Sequence, residues 1–147
     1  MPIHFFSEAI DFSLPDTSQV ASWLQEVATR EGYGVEGLNY IFCDDAYLLA
    51  LNQAHLDHDT LTDIITFDLS HQPKLLLADL YISIPRVREN AVNFEVSFHH
   101  ELGRVLAHGL LHLAGYDDKG AEKRAIMCAK EEEALALPAI ASFLYTA

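Results

Sequence analysis

Residues 107–118 read AHGLLHLAGYDD. Two histidines stand in an otherwise apolar segment, and a glycine and two aspartates follow. On an α-helix, with about 3.6 residues per turn, His108 and His112 lie one turn apart on the same face. Gly115 suits the left-handed backbone position just past a helix end, so the helix is expected to stop there and the chain to turn back. Asp118, six residues after His112, is then placed to reach the same ion from the loop. The spacing H-x-x-x-H-x-x-G-x-x-D reads as a metal site at the C-terminal end of a long helix, against the plainer alternative of two structural helix histidines.

Upstream, the helical pattern runs back to about Arg86, weakened at Gly103 and Gly109. Pro85 ends the strand KLLLADLYISI (74–84) and suits the first turn of the helix after it. Before that strand come IITFDL (64–69), read as a strand, and the polar loop DHDTLTD (57–63). IHFF (3–6) and LNYIFC (38–43) read as two more strands. The segment 14–34 reads as a helix capped by Asp16 or Ser18, with Val20, Trp23, Leu24 and Val27 on its apolar face. DDAYLLALNQAHL (44–56) reads as a helix capped by Asp44 or Asp45. Residues 118–137 form a further helix, and 138–145 a last short one. The order predicts one α+β domain over residues 1–147: a mixed sheet of about four strands with helices packed on it.

Composition limits the function. The 147 residues carry 22 acidic and nine basic side chains, a net charge of −13. Residues 1–60 hold ten acids and one base, Arg30, while residues 61–147 hold twelve acids and eight bases. Phosphate affinity comes mostly from Lys and Arg, so any nucleic-acid function requires a local basic patch in the second half. No apolar run is long enough to span a membrane, and the start, MPIHFFSEAIDF, lacks the basic segment of a secretory signal. Cys43 and Cys128 match no paired pattern and read as reduced thiols of a cytoplasmic protein.

The histidine spacing is that of the zinc-binding segment of metzincin-type proteases, with two changes. Gly109 occupies the position of the protease's general base, and a glycine cannot take a proton from water. The third ligand is a carboxylate, which zinc accepts. It also shifts preference toward harder divalent metals.

The same segment resembles the YbeY family, bacterial ribosomal-RNA maturation factors described as metal-dependent endoribonucleases. The family signature H-G-x-L-H-L-x-G-Y-D-H stands here as HGLLHLAGYDD (108–118), matched at every fixed position except the last. LNQAHLDHDTLTDIITF (51–67), ADLYIS (78–83), SFHHEL (97–102) and the Met127–Glu131 spacing resemble further family blocks. The resemblance implies a zinc-dependent, single-strand endoribonuclease that matures the small-subunit 3′ end and serves ribosome quality control, with ribosomal RNA and the small subunit as partners. It makes His108 and His112 zinc ligands, and Asp118 falls at the third ligand's position. Leu56 falls where the family usually offers an arginine. That arginine would suit phosphate binding, so Arg86, Arg88 or Arg104 must approach the RNA, or nuclease activity is reduced.

Other residues carry two readings each. Glu101 returns to nearly the same helix face as the histidines and either lines the metal cleft or is a solvated acid. With Asp117 and Asp63 it is a candidate general base beside metal-activated water. His99 and His100 precede it and are weaker site candidates. Asp79 interrupts an apolar strand; it either anchors a histidine ring or a loop, or faces water from an edge strand. Thr62 and Asp63 suit a loop cap. Lys119, Lys123, Arg124 and Lys130 form a rough basic stripe, set against Glu122 and Glu131 to Glu133. Two functions compete with the nuclease: a metalloprotease, which Gly109 argues against, and a non-catalytic ribosome-assembly factor with a structural metal.

Overall fold

The structure, a computed structural model, describes residues 2–56 and 62–145, the backbone alone at 55 and 56. Its elements are β1 (Ile3–Ser7), α1 (Thr17–Arg30), β2 (Gly34–Cys43), α2 (Asp45–Leu56), β3 (Ile64–Asp68), β4 (Leu75–Ser83), α3 (Ile84–Asn93), α4 (Phe98–Leu113), α5 (Ala121–Leu135), a 3-10 turn (Pro138–Ile140) and α6 (Ala141–Leu144). The four strands form one sheet in the order β1-β2-β4-β3. β1, β2 and β4 run parallel, and β3 is antiparallel to β4. The mixed α+β architecture read from the sequence is the one observed. Among the described residues, no helix is long and apolar enough to cross a membrane.

Strand periodicity sets the layers. Side chains alternate between sheet faces, so Leu76, Ala78, Leu80 and Ile82 of β4 point one way, with their register partners Leu38, Tyr40 and Phe42 of β2. This face packs against α1 and α4 and forms the main core. Buried polar groups on the large rings find partners across layers. The Tyr40 hydroxyl donates to the Leu106 carbonyl (3.1 Å), tying sheet to α4. The Trp23 indole donates to the Ala134 carbonyl (2.8 Å), tying α1 to α5. The opposite face carries a smaller cluster of Cys43, Leu48 and Ile65, flanked by Tyr47, Phe67 and Tyr81.

Helix ends follow local chemistry, with differences from expectation. Asp44 caps α2: its Oδ1 accepts from the Tyr47 amide at 2.8 Å. Asp16 precedes α1 in a left-handed conformation and makes no side-chain cap bond. Pro85 sits in the first turn of α3, as expected, and the Ser83 hydroxyl accepts from the Arg86 amide. The single helix expected from Arg86 to Ala114 is in fact two. The chain leaves α3 at Phe94, Glu95 takes a φ of 58°, and Ser97 starts α4 by accepting from the His100 amide at 3.0 Å. The polar N-cap and the partial burial of Val96 and Phe98 nearby outweigh the continuous helical pattern.

Gly109 has a packing reason. A Cβ there would stand 2.6 Å from Leu80 Cδ2 and 2.7 Å from Ile64 Cδ1. The glycine lets α4 approach the sheet closely. Alanine is the better helix former by about 1 kcal/mol, yet Gly109→Ala is expected to destabilise by about 1–3 kcal/mol through overpacking. Urea unfolding measures this; a variant as stable as wild type would mean that Leu80 and Ile64 yield without cost.

Candidate metal centre

The site is built on the last two turns of α4 and the bend that follows. α4 ends at Leu113, and Gly115 takes the left-handed conformation with φ 105°. The Gly115 amide donates to the His112 carbonyl at 3.1 Å and the Tyr116 amide to the Leu111 carbonyl at 3.0 Å. Two tyrosines pin the bend to α1 and the loop after it. Tyr33 Oη donates to the Ala114 carbonyl (3.0 Å), and Tyr116 Oη to Glu31 Oε1 (2.6 Å). The reversal predicted from Gly115 thus brings residues 117 and 118 back beside the helix.

Each imidazole is held by its Nδ1. His108 Nδ1 lies 2.6 Å from Glu131 Oε2, a carboxylate buried on α5. His112 Nδ1 lies 3.2 Å from the Tyr116 carbonyl oxygen. Each acceptor holds the proton on Nδ1, which leaves the Nε2 lone pair free. His108 Nε2 faces Asp118 Oδ2 at 3.7 Å. Burial disfavours the charged form of His108, but the hydrogen bond and charge of Glu131 outweigh it, so the ring's pKa is raised.

Among the described residues, no three His, Cys, Asp or Glu side chains stand close enough to form a finished cage. The donor chemistry nevertheless fits a small divalent cation. Two imidazole nitrogens and a carboxylate are the ligand types of an open zinc site, and a histidine whose other nitrogen is held by a carboxylate is the usual supporting arrangement.

Behind His108 lies a charge network absent from the sequence reading. Arg104 Nε and Nη2 donate to Glu101 Oε1 and Oε2 at 2.9 and 2.7 Å. Arg104 also meets Glu131 at 3.4 Å and Asp63 at 3.5 Å. Burial works against the charged guanidinium, but these carboxylates outweigh it and raise its pKa. Glu131 therefore joins the network to His108. Its only trace in the sequence is an acid on the apolar stripe of α5, between Met127 and Ala134, together with the Met127–Glu131 spacing.

The other candidates are committed elsewhere. Glu101, only 1 % exposed, is locked by Arg104 and is no solvated acid. Asp117 Oδ1 accepts from the Lys119 amide (2.6 Å) and Oδ2 pairs with Lys123 (3.5 Å); chiefly that amide holds its carboxyl below the usual range. Asp63 offers its backbone carbonyl to the Ser83 amide and its carboxylate to Arg104. Asp79 lies on a central strand, not an edge, and accepts from its cross-strand neighbour Asn39 at 3.1 Å. His99 packs on Phe143 (4.8 Å between centroids).

The basic candidates are mostly partnered. Lys130 pairs with Glu31 (3.3 Å), Arg86 pairs with Asp45 and Glu89, and Arg88 lies over the Phe98 ring. The side chain of Leu56 lies outside the described residues.

Residues 5–137 match the family described as Endoribonuclease YbeY. A protein of that name from Cytophaga hutchinsonii is 47% identical over 135 residues, covering 92% of this chain and 94% of its own. One from Flavobacterium psychrophilum is 47% identical over 132 residues, covering 90% and 94%. Among solved structures, the solution structure of TM1509 from Thermotoga maritima aligns with a TM-score of 0.62 at 28% identity, over 90% of this chain and 89% of that one. By a match that runs almost the length of the molecule, this chain belongs to the endoribonuclease YbeY family.

Proposed function

We propose that this protein is a metal-dependent endoribonuclease that cuts single-stranded ribosomal RNA precursors, with His108, His112 and Asp118 as metal ligands. One observation carries the assignment: both imidazoles have Nδ1 engaged by an acceptor, leaving Nε2 free one helical turn apart. When bound, a divalent ion, zinc by donor chemistry, supplies a Lewis acid next to the scissile phosphodiester. Glu131 fixes the His108 ring and the Tyr116 carbonyl fixes the His112 ring. Asp117 closes the turn that carries Asp118 by accepting the Lys119 amide. Arg104 pairs with Glu101 and Glu131 and holds both carboxylates in place. The names of the relatives support the reaction class. The family resemblance points to the small-subunit 3′ end, to ribosome quality control and to the cytoplasm. Cys43 and Cys128 are free thiols, in keeping with a reducing compartment.

The test is elemental analysis and RNA cleavage on untagged protein. Wild type is expected to hold close to one metal per chain and to stop cutting when a chelator is added. Asp118→Ala is expected to lose most of the metal. Glu131→Gln, which keeps the volume but not the charge, is expected to weaken metal affinity about 10–100-fold. Cleavage that persists in chelator would overturn the metal mechanism, and unchanged occupancy in Asp118→Ala would remove that residue from the ligand set.

A further inference from the structure

We propose that the cavity between α4, α5 and α6 takes an unpaired nucleobase of the RNA strand, flanking the bond that is cut; the inference rests on the endoribonuclease reading above. The cavity measures about 440 Å³ and is lined by His100, Arg104, Glu131, Leu135, Leu144 and Tyr145 among others. A second hollow of about 390 Å³ adjoins it and shares His100, Leu144 and Tyr145. The volumes lie within the range of small-ligand pockets, about 300–1,000 Å³.

Its position links it to the metal centre. His100, Arg104, His108 and His112 recur every four residues along α4, so they form one stripe. Glu131 lines the cavity and also holds His108 at 2.6 Å. At about 1.5 Å per residue, His100 and His108 are about 12 Å apart along the helix. A single strand of RNA spans both.

Its chemistry selects a neutral flat ring over a phosphate. The one guanidinium in the wall, Arg104, is already met by Glu101, Glu131 and Asp63. Glu131 and Glu132 add negative charge to the lining, which repels a phosphate. Leu135 and Leu144 give apolar walls, and Tyr145, 86% exposed, gives an aromatic face at the mouth. His100 lines both hollows, and its Nδ1 is buried without a hydrogen-bond partner. An orphaned imidazole nitrogen beside these apolar walls calls for a polar edge. A splayed-out base brings both a π-face for stacking and such an edge. An apolar peptide side chain would leave the nitrogen unanswered.

The experiment is a cleavage series on metal-loaded protein, with single abasic sites walked along a single-stranded RNA. One abasic position near the cut is expected to lower kcat/KM about tenfold, the usual worth of a stacked base. Tyr145→Ala is expected to lower it by a similar factor on intact RNA and by nothing further on that abasic strand, while Tyr145→Phe restores it. If no abasic position matters, if Tyr145→Ala cuts intact RNA as wild type does, or if the two losses simply multiply, the pocket holds no base, though the nuclease stands. If loaded wild type cuts no RNA at all, the endoribonuclease reading fails and takes the pocket with it.

Discussion

Alanine at His112 is expected to leave the protein folded, stripped of metal and unable to cut RNA. The ring is exposed, and its one hydrogen bond is to the Tyr116 carbonyl. Water can satisfy that carbonyl once the ring is gone. The bend has independent supports: the Gly115 and Tyr116 amides close onto the helix, and Tyr33 and Tyr116 tie it to α1 and the loop after it. The stability change should therefore stay within about 0.5 kcal/mol, as for an ordinary surface substitution. At about 2–4 °C per kcal/mol for a chain near this size, the melting shift is a degree or two. Metal retention, in contrast, loses one of the three proposed donors. Thermal melting, elemental analysis after dialysis and cleavage of a single-stranded RNA read the three effects separately. Wild-type metal content with wild-type cleavage would remove His112 from the centre. A protein that loses its metal and unfolds with it would make the ion structural, as in a non-catalytic assembly factor.

The parts of the molecule legible in the sequence are those fixed by local rules. The apolar run at 75–83 reads as a strand, although its buried face, Leu76, Ala78, Leu80 and Ile82, does not stand out in sequence from Leu75, Leu77 and Tyr81. His108, His112, Gly115 and Asp118 fall within eleven residues, on one helix and its bend, so spacing alone places them. What was not legible depends on partners far along the chain. Glu131 meets His108 across 23 residues, and Asp79 finds Asn39 across 40, through strand register. The break at Phe94 to Ser97 is hidden because Phe94 and Val96 continue the apolar pattern while Glu95 adopts an unusual φ. Gly109 reads in sequence only as a missing general base. In three dimensions it is the point where helix and sheet touch, at 2.6 Å from an added Cβ to Leu80.

Arg104→Met is expected to be the most destabilising change in the network, costing about 3–5 kcal/mol. The guanidinium is the shared cation of Glu101, Glu131 and Asp63. The Glu101 and Glu131 side chains are 1% and 4% exposed, so neither can turn to water when the cation is lost. Methionine fills much of the volume, which makes the lost charge the main effect. Arg104 is itself 27% exposed, and His108 still donates to Glu131, which favours the lower end of the range. Against a total stability of about 5–15 kcal/mol, even 3 kcal/mol lowers the melting temperature by about 10 °C. Pairing the change with Glu101→Leu removes the stranded charge and should recover most of the loss, as apolar replacement of a buried ion pair commonly does. Urea unfolding of both single variants and the double completes the cycle. A single Arg104→Met variant as stable as wild type at pH 7 would show that these carboxylates do not need the guanidinium, and the support inferred for Glu131 and His108 would lose its foundation.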